Sequence, residues 1–527
     1  MQRLAFVSFL RGLNLKKIES SKEPPWFRYL HHKKQQMADG YSFDDPKVIK
    51  FLEDAHKLMV EEALVKGSSK GAKIVDFVQP HLLENKLDLT ITEQPEADDK
   101  ILDACKKIIK YSIKTSNNRF YNQLYGGVDH YGLAGSFLTD VLNSNLHTYE
   151  VSPVFVTVEN FMCQKLCKII GYENGDGIFG PGGSFMNILG IHLARFRACP
   201  NIKEEGLYGQ KKMILYTSDA AHYSLQKGAS FLGFGTSSIE KVKTDDMGCM
   251  IPEELDKKIE ESKSKGHLPL FVMATSGTTV FGAYDPLDKI ADVCQRHGVW
   301  SHTDACWGGG ALLTKKYREP RMTGVERMDS VSWNLHKMSG ALLQCSSLLV
   351  KDKDILIKCN GTCAEYLFQP DKIYDVSYDV GDKTIQCGRK VDTLKLWLMW
   401  KARGDSGISE RVERAFDNAS YLTERLRTTE GFRLVRDKFQ CTNICFWYIP
   451  PSLRGQSESP EWWQKLSKVG PAVKAKMVTE GTMMIGYTPL SAKGLVNFFR
   501  IIVGNPLTTH EEMDFVLEEI HRLGKDL

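Results

Sequence analysis

No run of 18 or more apolar residues occurs in this 527-residue chain, so no transmembrane helix is expected. An excess of one charge is also missing. The chain carries 69 Lys and Arg against 65 Asp and Glu, and its net charge of +4 gives no reason to expect nucleic acid or a membrane as partner. The 13 cysteines are an odd number with no Cys-x-x-Cys pair. Cys163/Cys167, Cys359/Cys363 and Cys441/Cys445 are close in sequence, but no histidine cluster completes a zinc pattern. No metal site is expected, and the cysteines read as reduced, mostly buried thiols of a cytoplasmic protein. Internal repeats are lacking. Acid is absent from the first residues, where Arg3, Arg11, Lys16 and Lys17 all precede Glu19. That pattern suits a disordered arm, with a mitochondrial presequence as the lesser alternative.

What is present is ordinary for a globular protein: 42% hydrophobic and 25% charged residues, on a chain long enough for two or three domains. Residues 1 to about 45 are basic and broken by Glu23-Pro-Pro. From Asp45 to about Asn117, Val48, Phe51, Leu52, Ala55, Leu58, Met59 and Ala63 recur near the helical period, and Gly67–Gly71 punctuates them. From about 120 to 395, strand-like and helix-like stretches alternate, which predicts an α/β fold with a largely parallel sheet. Beyond 396, a helical stretch around Glu410 to Arg427, a strand at Cys441–Ile449, the loop Pro450–Pro460 and a strand at Asn497–Val503 predict a smaller α+β unit. The expected division is 1–120, 121–395 and 396–527.

Chemistry is concentrated at strand ends. Ser330-Val-Ser-Trp-Asn-Leu-His-Lys337 reads as a short strand ending in a His-Lys pair. By itself such a pair is usually a solvated turn. A lysine there can also present a partly desolvated amine to a pocket, which is what a Schiff-base lysine needs. Upstream, Val299–Asp304 ends a strand on an aspartate before Gly308–Gly310, and a buried carboxylate there needs a cation or a donor. Leu270–Thr279 runs into Ser-Gly-Thr-Thr, and Met213–His222 ends near a histidine. Gly177–Asn187 is read as a glycine-rich turn opening a helix, where free N–H groups suit a phosphate. An amine, a carboxylate, an imidazole and a phosphate cradle are the parts of a pyridoxal phosphate site.

In this order, over about residues 100 to 527, the motifs resemble the group II pyridoxal phosphate amino-acid decarboxylases. Asn122–Tyr125, Tyr149–Phe155, Tyr366–Lys372, Asp375–Lys383, Ile385–Arg389 and Asn497–Arg500 resemble the branch that acts on acidic amino acids. That branch holds the glutamate, cysteine sulfinate and aspartate decarboxylases. Leu453–Pro460 and Thr482–Tyr487 are most similar to its cysteine sulfinate and glutamate-decarboxylase-like members. The resemblance implies a PLP-dependent transferase-like fold of type I. It also implies a small acidic amino acid as substrate and an obligate homodimer with its sites at the subunit interface.

Residue by residue, the resemblance assigns Lys337 to the cofactor aldehyde, Asp304 to the ring nitrogen, His222 to the ring face and Thr275 to the ring hydroxyl. Gly183, Ser184 and His336 are expected at the phosphate, and Cys306 against the ring. Tyr366 matches a mobile-loop tyrosine that returns a proton to the α-carbon. Gln123, Tyr125 and Arg500 match substrate-binding positions. Tyr125 stands where glutamate-preferring relatives have a serine. It predicts preference for cysteine sulfinate, giving hypotaurine, with aspartate giving β-alanine as a secondary activity. The alternatives are a glutamate decarboxylase making GABA and, less favoured, an aminotransferase or a silent binding protein on the same fold. The chain departs from the family at Leu335 (usually proline), Thr303 (usually valine), Cys306, and Met186 (commonly serine). Met186 is expected to weaken the phosphate cradle, and Cys306 to be open to oxidation.

Overall fold

The computed structural model describes residues 42–527, so the expected basic arm lies outside the described residues up to position 41. Seven strands form the larger sheet: β1 (Asp176–Gly180), β2 (Met213–Ser218), β3 (Ile239–Val242), β4 (Leu268–Thr275), β5 (Trp300–Asp304), β6 (Ser330–Asn334) and β7 (Ser346–Val350). Their order is β1-β7-β6-β5-β4-β2-β3. The run β6-β5-β4-β2-β3 is parallel, whereas β7 is antiparallel to both β1 and β6. The strands are buried almost throughout, as a sheet covered on both faces requires.

The first strand starts at Asp176, later than the expected beginning of alternation near 120. The stretch before it holds α4 (His130–Leu142) and α5 (Pro153–Ile170), which follow α1 (Pro46–Leu58), α2 (Pro80–Leu87) and α3 (Asp98–Tyr111). A second difference concerns the glycine-rich turn. Gly177–Gly180 belong to β1, paired with β7, and the turn proper is only Pro181–Gly182 before α6 (Gly183–Ala198). Pairing wins there because Gly177 brings no side chain against Leu349. A Cβ on it would lie 2.7 Å from the Leu349 Cδ2.

Two motifs outside the cavity hold this frame together. Arg389 and Glu159 form a pair buried to within 2% and 1% exposure. Glu159 also accepts the Phe179 N–H at 3.1 Å, and Arg389 donates to the Phe179 carbonyl at 2.9 Å, so α5 and the Ile385–Arg389 stretch both grip β1. Asp379 accepts from the Tyr149 N–H at 2.8 Å and from Lys372 at 3.0 Å, joining three of the motif stretches.

Past α7 (Ser224–Phe231), α8 (Pro252–Ser264) and α9 (Leu287–His297), the chain enters α10 (Thr393–Thr428), which bends at Gly404 (φ 66°, ψ 178°), a conformation open only to glycine. The smaller sheet has the order β10-β11-β9-β8, all antiparallel: β8 (Phe432–Leu434), β9 (Asn443–Tyr448), β10 (Gly486–Leu490) and β11 (Leu495–Ile502). It packs with α11 (Pro460–Glu480) and α12 (His510–Gly524) around its own core of Phe446, Phe498, Ile501 and Val516. Among the described residues, no helix is long and apolar enough to cross a membrane.

Candidate active site

Parallel pairing sets the site. Register places Thr275 beside Asp304 and Asp304 beside Ser332, at the carboxyl ends of β4, β5 and β6. In open α/β sheets this edge is where ligands bind. The connections after β1, β2, β4, β5 and β6 converge there on one cavity, lined by Gly183, Ser184, Asn187, His222, Thr275, Asp304, Cys306, Asn334 and Lys337. Lys337 sits in the turn that follows β6.

Asp304 is only 5% exposed. Its Oδ1 accepts the Cys306 N–H at 3.1 Å and its Oδ2 accepts Asn187 Nδ2 at 3.0 Å. Burial alone would raise its pKa. The bonds from Cys306 and the charges of His222 and Lys337 outweigh burial and hold the carboxyl below its usual range, so it stays ionised. Burial pushes the His222 imidazole down, against the pull of Asp304, which favours the neutral ring. His222 Nδ1 accepts the Ser224 N–H at 3.2 Å, which fixes the ring's orientation. Burial likewise raises the Cys306 thiol well above its ordinary value, so it faces the cavity protonated and is a poor target for oxidation.

Asn187 lay within a stretch singled out from sequence but received no role. It is the centre of the support under Asp304. Its Nδ2 also donates to Ser224 Oγ at 2.9 Å, and its Oδ1 accepts Ser332 Oγ at 2.5 Å and lies 3.0 Å from His302 Nε2. Asn334 was missed too, although it lay in the quoted Ser330–Lys337 run. An amide three residues before a strand-end lysine, on the face that carries Ser332, was the available signal.

Two oxygens lining the cavity, Thr275 Oγ1 and Asn334 Oδ1, are buried without a hydrogen-bond partner. Such groups call for a ligand. The start of α6 has no side-chain cap, and Gly182 approaches it at φ 112°. A Cβ on Gly183 would lie 2.3 Å from Cys306 Sγ and 2.9 Å from the Asn334 amide, so only glycine leaves room there. A helix start of this kind is suited to a phosphate. An amine, an ionised buried carboxylate, a neutral imidazole, two unpartnered oxygens and a phosphate cradle fit pyridoxal phosphate.

Gln123 and Tyr125 line a small adjoining cavity that shares Leu124, Trp307 and Lys337 with the first. Arg500 stands one carbonyl behind the wall. Its Nη1 donates to the Thr279 carbonyl at 3.0 Å and its Nη2 to the Asn122 carbonyl at 3.3 Å. Thr279 itself lines the main cavity. His336 is buried and its Nδ1 accepts the Cys345 N–H at 2.9 Å; it is not among the lining residues. Tyr366 is 78% exposed in a turn and does not join the cavity within the subunit. Met186 does not bear on the phosphate cradle as expected. It is fully buried in the core with Ile178, Leu189 and Phe271, because its side of α6 faces the sheet while Gly183, Ser184 and Asn187 face the cavity.

This sheet topology, with an amine, a carboxylate and a helix start at one edge, defines an α/β enzyme of the PLP-dependent transferase-like class. The pyridoxal-dependent decarboxylase conserved domain matches residues 80–449, and the chain belongs to that family of pyridoxal-phosphate-dependent amino-acid decarboxylases. It is 51% identical over 479 residues to the mouse (Mus musculus) acidic amino acid decarboxylase GADL1, covering 91% of this chain and 86% of that protein. It is 50% identical over 471 residues to the human (Homo sapiens) cysteine sulfinic acid decarboxylase, covering 89% and 95%. The crystal structure of mouse CSAD superposes with a TM-score of 0.89 at 48% identity, over 92% of this chain and 100% of that one.

Proposed function

We propose that this decarboxylase acts on a short acidic amino acid, preferring cysteine sulfinate, which yields hypotaurine, and converting aspartate to β-alanine as a secondary activity. The observation that carries the reading is Tyr125, whose phenol shares a small cavity with Gln123 and Lys337. Its ring packs on Phe120, with 6.1 Å between centroids, and takes up room that a longer side chain would need. The names of the relatives at about half identity, an acidic amino acid decarboxylase and a cysteine sulfinic acid decarboxylase, support the same substrate class.

Bound pyridoxal phosphate supplies the electron sink for the bond that breaks between the α-carbon and its carboxylate. In this reading Lys337 holds its aldehyde end and Asp304 keeps its ring nitrogen protonated. His222 and Cys306 would flank its ring, and Thr275 Oγ1, which lacks a partner, would be available to its hydroxyl. Gly183 and Ser184 would serve the phosphate, with His336, which does not line the cavity, at most behind it. Arg500 attracts a substrate carboxylate from one carbonyl behind the wall, and the lack of a carboxylate partner among the described residues supports that role. Gln123 and Tyr125 receive the acidic side chain. Tyr366 gives the phenolic proton to the α-carbon once carbon dioxide has left.

Tyr366 does this from the neighbouring subunit of a homodimer. Its exposure supports the assignment. So do the exposed apolar side chains Leu138, Val141 and Leu142 on α4 and Val154 and Phe161 on α5, which suit an interface. Domain boundaries near 120 and 395 belong to the same reading.

The test compares kcat/KM for cysteine sulfinate, aspartate, cysteate and glutamate in wild type and in Tyr125→Ser. Excluding one methylene discriminates by roughly 10- to 200-fold. Wild type is expected to disfavour glutamate by that factor, and Tyr125→Ser to recover much of it. Glutamate as the best wild-type substrate would overturn the reading.

A further inference from the structure

Lys474 lies on α11 and is half-buried. Its Nζ donates to Asn122 Oδ1 at 2.8 Å and to the Ile485 carbonyl. Among the described residues no carboxylate acts on it, and burial pushes its ammonium down to about 8. Arg500 is in the same position. It bonds the Asn122 and Thr279 carbonyls, and burial lowers its pKa with no acid to offset it. Two cations therefore grip one residue, Lys474 by the side chain and Arg500 by the main chain. That residue immediately precedes Gln123, Leu124 and Tyr125, which line the cavities.

Keeping a cation buried without a counter-charge is costly. Hydrogen bonding to Asn122 does not explain it, since a neutral amide donor would hold the same oxygen. Among the described residues the surroundings supply no carboxylate partner. Of the elements packed on α11, β11 carries Arg500, β10 Tyr487, and β9 Cys445 and Tyr448, none of them a carboxylate. On α12, Glu519 is occupied by Arg522, which also pairs with Glu480 at the far end of α11. Beyond Asn122 the next groups in the chain, Gln123, Leu124 and Tyr125, line the cavities, so that side is open to a negative charge.

We propose that Lys474 is a positioning and specificity residue for acidic substrates: with Arg500 it fixes the Asn122–Tyr125 segment and supplies the positive charge behind it that an acidic side chain answers. The inference rests on the acidic-substrate reading above and does not depend on which acid is preferred. Between pH 7 and 9 the ammonium becomes an amine. The amine still donates an N–H to Asn122, so the hydrogen bond survives and only the charge is lost. Binding of an acidic substrate should therefore weaken as pH rises through 8.

The experiment measures kcat and KM for cysteine sulfinate, aspartate and glutamate from pH 6.5 to 9.5 in wild type, Lys474→Met, Lys474→Gln and Lys474→Arg holoenzymes. Inhibition by succinate and by its monoamide is read beside them. In wild type, KM for all three acids should rise about 3- to 10-fold across pH 8, with kcat changing less. Lys474→Met and Lys474→Gln should start from the raised KM at pH 7 and lack that rise. Lys474→Arg should keep the low KM and move the rise out of range. Succinate should follow the same pattern, and its monoamide much less. Unchanged KM in both neutral variants, or a rise at pH 8 that persists in them, would overturn the proposal. If glutamate proved the best substrate, the length reading would fall while the shared Lys474 effect stood. If no acid were turned over, the succinate comparison would still decide the role of Lys474.

Discussion

Asp304 is supplied with donors by a chain that crosses the sheet. Trp300 Nε1 donates to Ser330 Oγ at 2.8 Å, and Ser330 Oγ lies 2.8 Å from His302 Nδ1. His302 Nε2 lies 3.0 Å from Asn187 Oδ1, and Asn187 Nδ2 reaches Asp304. Burial pushes His302 down to about 4, so it is neutral and carries one ring proton. With Asn187 Oδ1 as acceptor, that proton belongs on Nε2, and every donor in the chain points toward the carboxylate. Removing Asn187 leaves Asp304 Oδ2 without a protein donor. Asn187→Ala is expected to lose about 1–3 kcal/mol of charge stabilisation at Asp304. Because the Asp304 pKa is depressed, the donors favour its ionised form, and their loss moves the acid limb of the kcat/KM profile to higher pH. Cofactor affinity, followed by absorbance, should fall in parallel. An acid limb at the wild-type position would show that Asp304 does not need Asn187. From the sequence, Asp304 was legible because an aspartate at a strand end is costly. Its supporters were not, because Asn187, His302 and Ser330 are far apart in sequence and meet only through the register of β5 and β6 and the packing of α6 on the sheet.

Among elements, β1 carries the turn that leads into the start of α6, and it is held by the buried Glu159–Arg389 pair rather than by strong strand propensity. Its sequence, Asp-Gly-Ile-Phe-Gly, is poor in β-formers. Glu159→Gln leaves Arg389 charged and buried and takes away half of its fork. It is expected to cost about 3–5 kcal/mol, read as a lower thermal midpoint, with cofactor affinity reduced because the start of α6 follows two residues after β1. A midpoint within a degree or two of wild type would show that the strand is held by pairing with β7 alone. The Ile385–Arg389 motif was legible as a family signature. Its role as a clamp on a strand some 210 positions earlier was not. Antiparallel β7 was also hidden, since a buried apolar run reads the same in either direction.

At the scale of the whole molecule, Tyr366 is exposed and does not line the cavity of its own subunit. If the proposed dimer joins them, sites can be rebuilt from two defective chains. Lys337→Ala and Tyr366→Phe homodimers should each be impaired, Lys337→Ala by about 10³-fold or more. Unfolded together and refolded at equal amounts, they should regain activity, because a mixed dimer combines Lys337 of one chain with Tyr366 of the other. Random pairing leaves about a quarter of all sites intact. No recovery above the sum of the homodimers, with mixed dimers present by mass, would place both residues in the same subunit.

The sequence by itself determined the class of chemistry. A lysine, an aspartate, a histidine and a glycine-rich helix start, each at a strand end and in a fixed order, are local features, and local patterning carries them. It determined the α/β alternation for the same reason. The tertiary structure alone decided which groups were left needing a partner. Thr275 Oγ1 and Asn334 Oδ1 are orphaned, and Lys474 and Arg500 are desolvated cations with no carboxylate partner among the described residues, because packing removes water from them. Desolvation depends on everything that surrounds a group in three dimensions, and no spacing along the chain records it.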